Sequence, residues 1–446
     1  MKVVIAGAGP AGLLTGACLA RRGHQVVAID RDPGPDERGG WQRRGVMQFE
    51  HAHAFRPQVA ELLAREWPEA LVAWEHAGAE PVMREIPGGG AVPMGHRSRR
   101  STYERTLRAA AAEMPGLTVR SGHVDGLVRS AGRARGVTVD GVPVEGDLVV
   151  DATGRSGRPL THLGQPAGET PPPALSSDCG IAYVDRVYRL RPGAEPGPLT
   201  SPIGLIAAHD GYQVLVFLHE RRYFSVLFVR HRDDRDLTLL RRPEAFDAAC
   251  AAVPELAAWT NASRSEPASD VRVGGALRNT YRDQADLVGL VAVGDSVATT
   301  APTAGRGVAL CASMVGRLVE LIDELEAGGD PREVAAPFEA WCSEQIRPWV
   351  ADHIACDDEL ARRWAGEALN VDDPLTSTRI IEAADHDPRI MQHAMPYLTM
   401  RGLPSSLEAA EPLAREAYRS GWRAAYAAGP ARDSLAEIVL AAAGQG

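Results

Sequence analysis

Residues 1–30 read MKVVIAGAGPAGLLTGACLARRGHQVVAID. A strand-like run from Lys2 to Ala6 leads into Gly7-x-Gly9-x-x-Gly12, a helical stretch reaches Arg22, and a second run from Gln25 to Ile29 closes on Asp30. Each part of such a β-α-β unit has its own physical task. Gly7 permits the tight turn out of the strand, Gly9 lets a pyrophosphate approach the backbone, and Gly12 lets helix and strand pack closely. The phosphates then sit on the helix N-terminus. Asp30, 18 residues beyond Gly12, offers a carboxylate to both hydroxyls of an adenosine ribose and would repel a 2′-phosphate. The stretch therefore predicts a dinucleotide site, with NAD or FAD to be decided elsewhere in the chain.

The chain has 446 residues, enough for two or three domains. Its apolar fraction of 45% and charged fraction of 24% are those of a globular protein, and no apolar run is long enough for a membrane span. A net charge of −10 argues against nucleic acid as a partner. The six cysteines are scattered without CxxC pairs, which suits reduced thiols and a cytoplasmic location. Of the 48 lysines and arginines only Lys2 is lysine, so a mechanism that needs an active-site lysine is nearly excluded.

Pattern and punctuation divide the chain into a first nucleotide-binding segment, 1–163, a strand-rich substrate domain, 175–283, a returning segment, 284–330, and a helical region, 331–446. Proline-rich residues 164–178 mark the first boundary. Helices are predicted over 57–66 and 101–113, the latter with Ser101 or Thr102 as N-cap. Strands are predicted over 147–151, 203–209, 212–219, 222–229, 271–281 and 286–293, and a long helix from about 305 to 326.

Three separated patches then form one pattern. GAGPAG, Asp151-Ala-Thr-Gly154-Arg155-Ser156, and Gly294-Asp295-Ser296 followed by Pro302-Thr-Ala-Gly305-Arg306-Gly307 resemble FAD-dependent monooxygenases of the para-hydroxybenzoate hydroxylase type, over about residues 1–325. The resemblance implies an α/β fold: a Rossmann-type FAD-binding domain with an inserted antiparallel β-sheet substrate domain and a C-terminal helical region. It implies a cofactor shell of Gly7, Gly9, Ala11, Gly12, Asp30, Arg31, Arg44, Arg100, Val124, Asp151, Asp295, Gly305, Gly307 and Val308. Within that shell Asp295 would hold the ribityl chain, Arg100 the cofactor backbone, and Val124 the adenine. The glycines Gly305 and Gly307 would start a helix under the isoalloxazine ring, whose anionic reduced form its positive end favours.

The resemblance further implies insertion of one oxygen atom of O₂, through a C4a-hydroperoxide of the reduced flavin, into a hydrophobic or aromatic small molecule of specialised metabolism. Electrons would come from NAD(P)H or from reduced flavin supplied by a flavin reductase. Asp151-Ala-Thr-Gly154 departs from the Asp-Gly of the best-known members and puts direct NADPH binding in question. The pocket is expected between the loop 48–55, a sheet carrying Tyr212 and Phe217, and the turn 299–302. His51, His53, Tyr212 and Pro302 are the catalytic candidates, and no metal site is expected from His51 and His53 or from His353, Cys356 and Asp357. Halogenation is the closest alternative chemistry, but the lysine and Trp-x-Trp-x-Ile-Pro element of such enzymes do not occur here. A reductase of the geranylgeranyl-reductase type, and a non-catalytic binding protein of GDP-dissociation-inhibitor type, are the other readings.

Overall fold

The computed structural model describes residues 1–43, 45–85, 90–155, 159–163 and 172–444. Five parallel strands form its central sheet in the order Leu290–Ala292, Leu148–Asp151, Lys2–Ala6, Gln25–Asp30, Leu117–Ser121. Strand alternation sends Val3 and Ile5 to one face and Val4 and Ala6 to the other, and both sets are buried, as in parallel sheets covered on both sides. On the first face lie the helices Pro10–Arg21 and Gly307–Gly328. On the second lies a meander of Val124–Ser130, Arg133–Val139 and Val142–Glu145, its last strand not foreseen from the sequence.

The second unit, expected from the sequence to hold the substrate and called the substrate unit for that reason, is a six-stranded sheet in the order Gly204–His209, Tyr212–Leu218, Tyr223–His231, Ile181–Leu190, Ser265–Pro267, with Arg272–Gly274 also paired to Ile181–Leu190. One face, carrying Tyr212, Val214, Val216 and Phe228, packs on the helices Pro243–Ala252, Pro254–Thr260 and Arg432–Ala443. The other carries Tyr183, Leu215, Phe217 and Val229 and turns toward the nucleotide unit.

The single strand expected over 271–281 is broken at Gly275 and Ala276, where Ala276 takes φ +51°. Beyond the break, Arg278–Tyr281 joins a small sheet with Leu175–Asp178 and Ala298–Thr299 that bridges the two units. The helix expected over 101–113 runs Arg100–Ala112 and is not capped by Ser101 or Thr102. Instead Glu220 of the substrate unit accepts from the Arg99 N–H (2.7 Å) and the Thr102 hydroxyl, bringing a carboxylate to the positive helix end. A hairpin, Glu80–Glu85 with Ala91–Arg97, was also not foreseen. The helical region 331–446 does not pack as one layer, since Arg432–Ala443 crosses to the substrate sheet while the helices from Ala335 to Arg419 pack on the nucleotide core. Among the described residues no helix is long and apolar enough to cross a membrane.

Candidate active site

A cavity of about 450 Å³ extends from the carboxyl ends of the parallel strands to the inner face of the six-stranded sheet. Ligands of open α/β sheets bind at such strand ends. At its nucleotide end the chain turns at Gly7 (φ +106°), where a Cβ would lie 2.2 Å from the Ala152 carbonyl oxygen. Gly12 does not reach the cavity; a Cβ there would lie 1.9 Å from the Gly7 oxygen, so its task is helix–strand contact. Gly9 and Ala11 do line the cavity at the helix start, where backbone N–H groups lack intrahelical partners.

Asp30 closes this end. Its carboxylate accepts from the Ala8 N–H (2.8 Å) and the Asp32 N–H (2.9 Å) while facing the cavity, beside Arg31. Arg43 lies across it, Nη2 3.2 Å from Asp30 Oδ2 and Nη1 on buried Glu104. Arg44, the arginine expected here, lies outside the described residues. Adjacent arginines in an irregular stretch give no pattern that tells which one turns inward, and Arg43 was missed for that reason. Arg100 shares Glu104, four residues on along its helix, and Val124 lines the cavity with Gly122 and His123.

The middle of the cavity joins the second and third motifs. Asp295 lines it with no hydrogen-bond partner for its carboxylate among the described residues. Burial raises its pKa, against the lowering charges of Arg100 and Arg155. Asp151, expected to touch the cofactor, is instead committed internally. Its Oδ1 accepts from Thr153 N, Thr153 Oγ1 and Ser296 Oγ (3.1, 2.7 and 3.1 Å), and its Oδ2 from Leu160 N (3.1 Å). It locks the Ala152–Arg155 loop to the Gly294–Ser296 turn rather than contacting the cavity. Gly305, at φ +60°, then admits a turn into the helix that opens at Gly307, with Gly305, Gly307 and Val308 on the cavity wall.

This donor set fits FAD. A glycine turn with free amides, a ribose-type carboxylate and an unpartnered carboxylate stand along one trench, and a second helix N-terminus follows.

At the far end the wall is apolar, with Tyr183, Phe217, Leu277, Met47 and Pro302. His53 lines it, its Nδ1 3.0 Å from the Ala52 carbonyl and its Nε2 3.0 Å from Arg100 Nη1. A guanidinium only donates, so Nε2 bears the lone pair and Nδ1 the proton. Burial, then the Arg100 charge, holds the His53 pKa well below the usual imidazole value. His51 is not on the wall. It sits behind Tyr183, edge-on to that ring, with Nδ1 2.5 Å from buried Asp185. Tyr212, expected to be catalytic, faces away from the cavity: it shares a strand face with Val214 and Val216, and its hydroxyl donates to the Pro430 carbonyl (2.9 Å) on the opposite side of the sheet. Among the described residues no three His, Cys, Asp or Glu side chains are placed to hold a metal ion.

Behind the wall, buried Asp357 accepts from Asn279 Nδ2 (2.7 Å), and burial pushes its pKa from 3.8 up to about 6. A carboxyl whose folded pKa is raised binds its proton more tightly in the native state. The resulting stabilisation is complete below pH 3.8 and lost as pH rises through about 6. Asp357→Asn, which carries no charge, is therefore expected to stabilise the protein by about 1–3 kcal/mol at pH 7.5 and by nothing at pH 4, as read by denaturant melts at the two pH values.

The comparisons agree with this geometry. The model of the FAD binding domain matches residues 1–49, and that of tryptophan halogenase matches residues 79–353. Among solved structures, the flavin-dependent brominase Bmp2 superposes with a TM-score of 0.63 at 17% identity, covering 94% of this chain and 99% of that one. The flavin-dependent halogenase CmlS gives 0.60 at 19%, covering 94% and 77%. PqsL, a probable FAD-dependent monooxygenase from Pseudomonas aeruginosa, gives 0.58 at 15%, covering 82% and 98%. The superfamily expected from the three motifs holds, but the matching family is narrower than the para-hydroxybenzoate hydroxylase type, and the missing lysine does not place the chain outside it. With FAD as its cofactor and an oxidoreductase fold around it, the chain belongs to the tryptophan halogenase family of flavin-dependent enzymes.

Proposed function

We propose that the protein is a monooxygenase that hydroxylates or epoxidises a hydrophobic or aromatic small molecule. The observation that carries this reading is the make-up of the far wall: aromatic and aliphatic side chains, a neutral histidine, and no ammonium group. The only lysine, Lys2, opens the first strand at the end opposite the glycine turn, with its side chain exposed, and cannot reach the cavity.

FAD, when bound, supplies the activation of O₂. The chain's own groups position and shield it. Asp295 would accept hydrogen bonds from the ribityl chain, Arg100 would hold the cofactor backbone, and the amides at Ala11 and at the Gly307 helix start would face its negative charge. Tyr183, Phe217 and Leu277 exclude water from the reacting face. His53 Nε2 is held by Arg100 and could take a proton from a substrate hydroxyl only where that guanidinium is turned elsewhere, as it would be if it held the cofactor. Electrons come from NAD(P)H or from reduced flavin made by a separate reductase.

Halogenation is the second reading, favoured by the family match over residues 79–353. Aerobic incubation with FAD, a flavin reductase, NADH and a panel of phenols, pyrroles and alkenes, with and without bromide, separates the two by product mass. Gain of a single oxygen atom regardless of halide supports monooxygenation. Replacement of hydrogen by bromine only when bromide is present would overturn it.

A further inference from the structure

Three residues remote in sequence meet in a buried layer behind the cavity wall. Asn279, fully buried on the strand Arg278–Tyr281, donates from Nδ2 to Asp357 on the helix Arg347–Trp364 and accepts at Oδ1 from the Ala301 N–H, each at 2.7 Å. The Cys179 thiol also bonds Asp357. The ladder between Arg278–Tyr281 and Ala298–Thr299 pairs Thr280 with Thr299 and goes no further. Past that point the side chain of Asn279 replaces a backbone partner and holds the strand's continuation at Ala301. Thr299, Thr300 and Pro302 on either side of that anchor line the cavity, and the Thr300 hydroxyl is buried with no partner among the described residues.

An amide does both tasks with two separate atoms, its NH₂ donating to a carboxylate on one side and its oxygen accepting from an N–H on the other. When ionised, Asp357 fixes which way it points, because a carboxylate oxygen can only receive the NH₂ end. We infer that Asn279 and Asp357 are positioning residues that set the 299–302 turn, and with it the cavity-lining Thr299 and Pro302, against the flavin and substrate. The inference rests on the reading of this cavity as the flavin and substrate site.

The arrangement predicts its own reversal. Asn279→Asp places two carboxylates face to face, so at pH 7.5 the pair repels and the turn shifts; at pH 5 a shared proton restores one hydrogen bond. The other titratable groups facing Asp357 are the Cys179 thiol and exposed Asp358, both unchanged in the variant. The double variant Asn279→Asp/Asp357→Asn exchanges carboxylate and amide: Asn at 357 donates to Asp at 279, whose other oxygen still accepts from Ala301.

FAD titration by fluorescence quenching, visible circular dichroism of the bound flavin, and apo-protein melting would be followed for wild type, Asn279→Ala, Asn279→Asp and the exchange variant. FAD affinity is expected to fall by about tenfold in Asn279→Asp at pH 7.5, the effect of one lost buried hydrogen bond, and to recover at pH 5. The exchange variant is expected to regain wild-type affinity and dichroism at pH 7.5. Wild-type affinity and dichroism in Asn279→Ala, or an exchange variant that melts like wild type yet binds no better than Asn279→Asp, would overturn the inference. A wild-type protein that takes up no FAD would instead sink the reading of the cavity itself.

Discussion

Asp295→Ala is expected to purify colourless, with FAD affinity lowered by about a hundredfold or more, the loss of two hydrogen bonds from a charged acceptor. In the protein alone this carboxylate has the cost of burial without a hydrogen bond to offset it. Ribityl hydroxyls would provide the missing donors, so the free energy is recovered only in the complex. In the empty protein the sign is opposite. Removing the buried charge should leave the apo melting temperature unchanged or higher, as happens where a binding residue is strained for its function. Stoichiometric flavin in Asp295→Ala, or a collapse of apo stability, would count against placing the ribityl chain here.

Gly12→Ala and Gly9→Ala are expected to fail in different ways although they differ by one methyl in one motif. At Gly12 the new carbon would lie 1.9 Å from the Gly7 oxygen and 2.9 Å from its carbonyl carbon, both backbone atoms within the turn itself. Neither can rotate away, so the helix must lift off the first strand. Overpacking of this kind costs about 3 kcal/mol or more and should be seen as a large fall in melting temperature with no flavin retained. At Gly9 the nearest heavy atom is a guanidinium nitrogen of Arg43 at 3.5 Å, an ordinary contact. The fold should survive, and only the approach of the pyrophosphate is obstructed. Melting near the wild-type temperature with FAD affinity reduced about tenfold or more is the expected result. Equal melting temperatures for the two variants would refute the division of labour between these glycines.

The nucleotide unit was legible because its signals are local. Strand, glycine turn, helix and acid lie within thirty residues, and each has a sterically dictated residue type. The substrate sheet was legible as strands but not as faces. From Val214 to Leu218 every residue is apolar and buried, so alternation gives no polar side from which to tell which parity meets the ligand. Tyr212 and Phe217 were grouped together for that reason, although they point to opposite layers. Asp151 misled in another way. An acid at a strand end resembles a ligand contact, and only the fold brings Ser296 and the Leu160 amide to occupy its oxygens. The Asp185 partner of His51 is 134 residues away and carries no local signature. The unforeseen hairpin holds Pro81 and Pro93, residues that argue against a strand unless it lies at an edge, and here the hairpin is a two-stranded sheet of its own.

The helix Arg432–Ala443 completes the layer that covers the back of the substrate sheet, alongside Pro243–Ala252. During synthesis every strand of that sheet therefore leaves the ribosome well before its last covering element exists. Until Leu435 and Val439 arrive, the apolar row of Tyr212, Val214 and Val216 remains partly open to water and to neighbouring nascent chains. Yield of well-folded protein should thus depend on how quickly residues 432–443 follow the sheet, and a stop shortly before residue 432 would produce aggregates rather than a merely inactive enzyme.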